Sequence, residues 1–168
     1  MDTSRKRIIP PIWLLILIFF TLYLLISIGI THFLSLPGHI PFPYYWSIAI
    51  GSILLLVGFC VLDSAIKTLT LRRASGKDIF KQKSESKLVT TGIYAHVRNP
   101  VYLGNTLMLW GWFFVLQFTV VLFLTILFMI HFCLVAKWEE RELTERFGDD
   151  YLQYKKRVPF IIPSLKKR

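Results

Sequence analysis

Residues 101–136 read VYLGNTLMLWGWFFVLQFTVVLFLTILFMIHFCLVA, 36 residues without a single Asp, Glu, Lys or Arg. As one helix this run would be about 54 Å long, because an α-helix rises ~1.5 Å per residue. The hydrocarbon core of a bilayer is only ~30 Å thick. The run is therefore too long for one span and short for two. A tight helical hairpin fits it best, with the turn expected near Gln117 to Thr119, although no Pro or Gly marks that turn.

Two further apolar runs lie upstream. Ile12 to Phe33 is interrupted only by Thr21, Ser27, Thr31 and His32, which suits one transmembrane helix. It is longer than a signal-peptide core and has no small-residue cleavage site after it, so it reads as a retained anchor. Pro37, Gly38, Pro41 and Pro43 then break the helical pattern. Trp46 to Leu71 is the second run. Its Ser47 and Gly51 form a small-xxx-small pair that lets helices approach closely. Asp63 and Lys67, four residues apart near its end, read as a helix-end ion pair with Lys67 snorkelling to the interface.

The composition agrees. The chain has 168 residues, 54% apolar and 18% charged, with a formal net charge of +10, whereas soluble domains are about one quarter charged. The basic residues fall in short blocks between uncharged runs, a pattern that points to membrane topology and to anionic lipid rather than to nucleic acid. Arg5, Lys6 and Arg7 precede the first run, the 35–45 loop has no Lys or Arg, and the 72–98 segment has seven. With four spans the N-terminus, the second loop and the C-terminal tail share one side, and the positive-inside rule makes that side cytoplasmic. Cys60 and Cys133 both lie in apolar runs, have no metal-ligand spacing and read as packing residues. The expected fold is all-α: a single membrane domain over 1–168, with two spans in 1–71. A cytoplasmic loop, the hairpin and C-terminal helices make up 72–168.

Two polar stretches are longer than connections require: KLVTTGIYAHVRNPVYLG at 87–104 and WEERELTERFGDDYLQYKKRVP at 138–159. Taken singly, their residues have ordinary roles. Asn99 can cap a helix with Pro100 in its first turn, and Tyr94 and Tyr102 suit the headgroup level. Gly148 can end one helix and Asp149 cap a short one before Pro159. Leu143, Phe147 and Tyr151 form a stripe that can rest on the membrane surface. A hairpin would bring the two stretches together, so that a cation, hydroxyls and the Glu139–Glu140 carboxylates converge at the membrane surface.

Taken as an ordered set, Leu88-Val89-Thr90-Thr91-Gly92-Ile93-Tyr94, Val97 to Gly104, Glu139-Glu140 and Phe147 to Pro159 resemble the isoprenylcysteine carboxyl methyltransferase family, over about residues 85–163. Related membrane phospholipid N-methyltransferases share the Asn/His-Pro-x-Tyr and Glu-Glu elements. The resemblance implies methyl transfer from S-adenosylmethionine to a carboxylate of a lipidated or lipid-like acceptor, with no metal and no nucleic acid. It implies cofactor contacts at Ser86, Lys87, Leu88, Val89, Tyr94, Asn99, Pro100, Val101, Tyr102 and Glu139, with Arg98 and Glu140 as the catalytic pair. A phospholipid N-methyltransferase and a non-enzymatic membrane protein are the alternatives. Two positions depart from the family pattern. Asn99 stands where His is more usual, and Asn cannot carry a charge. Val135 stands where eukaryotic members place a substrate-associated Arg.

Overall fold

The computed structural model describes residues 12–33, 40, 42–74 and 88–162. Its regular elements among these residues are helices: α1 (Ile12–Phe33), α2 (Tyr44–Ala74), a 3₁₀ turn (Gly92–Ala95), α3 (Pro100–Leu116), α4 (Thr119–Phe147) and α5 (Asp149–Arg157). Among the described residues, α1, α2 and α4 are long and apolar enough to cross a membrane, while α3, with 17 residues, is a shorter apolar helix. Leu22, Leu25, Leu56, Phe59, Phe123 and Leu134 are all at least half exposed. A soluble protein does not present so much contiguous apolar surface. These faces are suited to lipid, and the protein is a membrane protein.

In space the helices follow the order α2, α3, α4, α1. The closest packing is between α2 and α3, along two glycine pairs spaced seven residues apart on each helix. A Cβ on Gly58 would lie 2.9 Å from the Gly104 carbonyl oxygen, and one on Gly104 would lie 3.0 Å from that of Gly58. Gly51 and Gly111 repeat the relation at 2.9 and 3.0 Å. Lipid tails are as apolar as leucine, so helices in a bilayer gain little from burying apolar surface and instead gain from close backbone approach. The Ser47–Gly51 pair lies on this seam, with Ser47 buried. The partner glycines of α3 complete it.

The expected break in the 101–136 run falls at Gln117 and Phe118. Gln117 adopts φ 55°, ψ 21° and is the only non-glycine residue with positive φ among those described. Its N–H caps Phe113 and its carbonyl oxygen accepts the Ile40 N–H at 2.9 Å. Contacts between α3 and α4 then pair Leu109 with Thr125 (3.4 Å, Thr125 Oγ1 to the Leu109 oxygen), Tyr102 with Phe132 and Asn99 with Glu140. The far side of α4 holds α1. The Tyr23 hydroxyl donates to the Val121 carbonyl at 3.2 Å and shares a 3.0 Å hydrogen bond with Thr125 Oγ1. Thr125 thus links three helices inside an apolar layer built from Phe20, Leu109, Phe113 and Val121. Phe19, Phe128 and Phe132 continue it as edge-on and tilted rings toward Tyr102. The Asp63–Lys67 pair forms at 2.7 Å with Lys67 largely exposed, although α2 continues beyond it to Ala74.

The glycine seam is testable. Gly104→Val or Gly58→Val should destabilise the protein by about 1–3 kcal/mol through overpacking. Gly29, which has nothing within 4 Å of an added Cβ, should accept Ala without loss. Thermal unfolding in detergent measures both.

Candidate functional site

The site gathers at the polar end of α4. A left-handed turn at Gly92 (φ 61°) begins the 3₁₀ segment, and a Cβ there would lie 2.9 Å from Thr68 Oγ1 of α2. The segment is therefore seated on α2, with Val97 buried beneath it. Its far side is held by α5, where the Tyr154 hydroxyl donates to the Tyr94 carbonyl at 2.7 Å. The chain after α5 folds back so that the Arg98 N–H donates to the Pro159 oxygen at 3.0 Å. The Arg98 guanidinium also lies over the Phe160 ring.

Asn99 occupies the N-cap position of α3, but its side chain makes no capping hydrogen bond. Its amide instead donates to Glu140 Oε1 at 3.1 Å and to the Phe160 carbonyl at 3.2 Å. The physical reason is that a buried carboxylate requires donors more strongly than a helix end that backbone and proline already satisfy. Glu140 is 6% exposed. Oε1 also faces Arg98 Nε at 3.4 Å, Oε2 faces Lys155 Nζ at 3.3 Å, and Tyr151 adds a hydroxyl. One carboxylate thus joins the start of α3, the polar end of α4 and α5. Both its oxygens face groups of the protein.

Glu139 points elsewhere, since successive helical residues diverge by about 100°. It is exposed. Tyr102 hydrogen-bonds to it, and its charge acts on Tyr94. Burial, reinforced by Glu139, pushes the Tyr94 phenol up to about 12. Burial likewise raises Tyr154 to about 12, against the opposing pull of Arg98. Tyr151 is raised by burial and then by Glu140. All three remain neutral donors through the physiological range. The result is two half-sites around the end of α4: an acidic, phenol-lined one at Glu139, Tyr94 and Tyr102, and a cationic one at Arg98 and Lys155.

Of the residues singled out in the sequence, the structure brings together Tyr94, Arg98, Asn99, Tyr102, Glu139 and Glu140. Pro100 is buried at the first turn of α3 and Val101 and Val89 are half-buried beside them. Leu88 packs on the cluster formed by Tyr151, Tyr154 and Val158. Ser86 and Lys87 lie outside the described residues. The stripe of Leu143, Phe147 and Tyr151, which could have rested on the membrane surface, packs at least partly against the protein. Tyr151 is 1% exposed and Leu143 and Phe147 pack against the same cluster. Leu88 and the Tyr94 carbonyl, held by Tyr154, lie against part of that face. Tyr151, Lys155 and Phe160 were not foreseen as site residues. The four-residue spacing of Tyr151 and Lys155, which puts both on one face of α5, was the available signal. Among the described residues no group of three or more His, Cys, Asp or Glu side chains is placed to hold a metal.

A comparison with known families matches the phospholipid methyltransferase model over residues 46–150. That is more than half of the chain, and the chain belongs to this family. The protein-S-isoprenylcysteine O-methyltransferase of Xenopus laevis is 34% identical over 131 residues, covering 72% of this chain and 42% of that protein. The corresponding Schizosaccharomyces pombe protein is 38% identical over 89 residues, 49% of this chain and 36% of that one. The methanethiol S-methyltransferase of Crocosphaera subtropica is 28% identical over 148 residues, 85% of this chain and 54% of its own length. The chain thus spans well under half the length of the isoprenylcysteine O-methyltransferases and about half that of the methanethiol enzyme. No solved structure matches.

Removing the Glu140 carboxylate leaves Arg98 and Lys155 without their shared anion. Glu140→Ala should cost about 3–5 kcal/mol, as expected for breaking a buried pair. Glu145→Ala, which touches only an exposed pair with Arg141, should change stability by less than ~1 kcal/mol. Chemical unfolding, with limited proteolysis of the segment after Gly148, reads both. A second test uses pH. A phenol whose folded pKa is raised stabilises the fold fully below its ordinary value of 10.0 and loses that contribution as pH climbs toward 12. The wild-type unfolding midpoint should therefore fall between pH 10 and pH 12, and fall less in Tyr154→Phe.

Proposed function

We propose that the protein is an S-adenosylmethionine-dependent methyltransferase acting on a carboxylate of a lipidated or lipid-like acceptor at the cytoplasmic face of a membrane. The observation that carries this reading is the half-site in which Glu139 stands beside two neutral phenols at the end of an apolar helix. S-adenosylmethionine supplies a methyl group already activated on a sulfonium centre and presents ammonium and ribose hydroxyls. An exposed carboxylate with phenolic donors suits those groups, so the residues fit the donor. Tyr94, Tyr102, Glu139, Leu88, Val89 and the turn from Asn99 to Val101 would hold it, with Ser86 and Lys87 expected to contribute. Arg98, held in place by Glu140, orients an anionic group.

The chemistry asks little more of the chain. A carboxylate is ionised at neutral pH, so no general base is needed. The remaining requirement is alignment of acceptor, methyl and sulfur, a proximity effect. The resemblance to isoprenylcysteine O-methyltransferases favours a carboxylate acceptor. The topology that serves this chemistry has α1 to α4 as four spans, α3 and α4 forming a hairpin. The N-terminus, the 72–98 segment and the tail then lie in the cytoplasm. The alternative reading, phospholipid N-methylation, takes support from the family description and would require an amine to lose a proton, with His96 or a carboxylate as base.

Calorimetry of S-adenosylmethionine binding to the purified protein in detergent tests the donor site. Saturable binding is expected, weakened at least about tenfold in Glu139→Ala and Tyr102→Ala, equivalent to ~1.4 kcal/mol or more. Folded, monodisperse wild type that binds no donor would overturn the reading. A labelled product separates the two enzymatic readings, since methyl esters are released by base and methylamines are not.

A further inference from the structure

The segment that carries Tyr94 stops one hydrogen bond short of continuing as a helix. The His96 and Val97 N–H groups both donate to the Ile93 oxygen, at 3.0 and 3.1 Å. The next bond of a continuing α-helix would run from the Arg98 N–H to the Tyr94 oxygen, four residues back. Both halves of that bond are taken by the chain from α5 onward. The Arg98 N–H goes to the Pro159 oxygen at 3.0 Å, and the Tyr94 oxygen accepts the Tyr154 hydroxyl at 2.7 Å.

The tyrosine that makes this exchange is itself held. Tyr154 is buried, its ring lies 5.9 Å from that of Tyr151, and both pack with Val158 against Leu88, Leu143 and Phe147. A packed ring fixes where its hydroxyl can point, and a buried hydroxyl needs a partner. Burial also keeps the phenol in its neutral, donating form. The other end of the segment is fixed on α2, where Gly92 sits against Thr68. Tyr94 is thus suspended between two supports, and one of them is a side-chain hydroxyl of α5.

We propose that Tyr154 is a positioning residue of the donor half-site: by holding the Tyr94 main-chain carbonyl, it sets the direction in which the Tyr94 phenol meets the methyl donor beside Glu139. The inference rests on the donor-binding reading above and gives α5, which lends that half-site no contact of its own, a part in donor affinity. The Tyr154 bond is made to the main chain, so it survives a change of the Tyr94 side chain. A support of the fold alone is indifferent to that side chain, whereas a support of the phenol is not.

The test is a double-mutant cycle on S-adenosylmethionine binding, by calorimetry of the purified full chain in detergent. It uses Tyr154→Phe, Tyr94→Phe and the double variant, each also melted without donor. Tyr154→Phe should weaken donor binding about three- to tenfold when Tyr94 is intact, and less than about twofold when Tyr94→Phe is already present. Its effect on the donor-free melting temperature should be the same in both backgrounds. A second measurement needs no variant. Coupling is reciprocal, so saturating donor should slow amide exchange across residues 149–158 as well as 92–99 and leave α1 unchanged. If Tyr154→Phe does not fold, this exchange measurement decides. Wild-type affinity in Tyr154→Phe, equal weakening in both backgrounds, or exchange in α5 that ignores the donor would each overturn the positioning role. Wild type that binds no donor would instead overturn the donor-binding reading, and this inference with it.

Discussion

A carboxylate withdrawn from water needs donors and opposite charge around it, and Glu140 collects both from three segments of the polar end. Arg98 and Asn99 come from the entry to α3, Tyr151 and Lys155 from α5, and the Phe160 carbonyl is tied in through Asn99. Removing a buried partner leaves the carboxylate less well compensated. The arrangement of the entry turn, the tail and the extended part of α4 is therefore determined together. Neighbouring Glu139, exempt from that role, remains exposed and available.

The membrane part serves this end by fixing distances. The glycine pairs set α2 against α3 at backbone contact, and the same α2 carries Thr68, against which the Gly92 turn is seated. Any change in the spacing of the two helices would move the Tyr94 segment relative to Tyr102. On the other side, Thr125 and Tyr23 tie α4 to α1 and α3 by hydroxyls in an otherwise apolar layer. In such surroundings a hydrogen bond has no competing water, and it selects one alignment of helices that hydrophobicity alone would leave open.

Much of this was legible in the sequence because it rests on local rules. Uncharged run lengths gave the helices, the Pro100 position gave the start of α3, and Gly148 gave the bend before α5. The 36-residue run demanded a break near its middle, and the break lies at Gln117, a residue type with no turn preference. Its carbonyl oxygen accepts the Ile40 N–H, a contact that only the assembled structure supplies. The pairing of Glu140 with Lys155 and the return of the chain at Pro159 were not legible, because they are tertiary. The stripe of Leu143, Phe147 and Tyr151 shows the same limit. Its amphipathicity is plain, but sequence periodicity does not say whether lipid or protein covers it.

The presence of Asn99 where histidine is more usual gives the joint a further property. The amide donates one hydrogen to Glu140 and the other to the Phe160 carbonyl, and it has no proton to gain or lose. An imidazole at that position would have to be charged to donate to both at once, and would release one of them on titrating near neutrality. The amide joint keeps the same hydrogen-bond pattern on either side of that range. Asn99 therefore adds no titrating group of its own to the entry to α3, and any response to proton concentration there has to come from its neighbours.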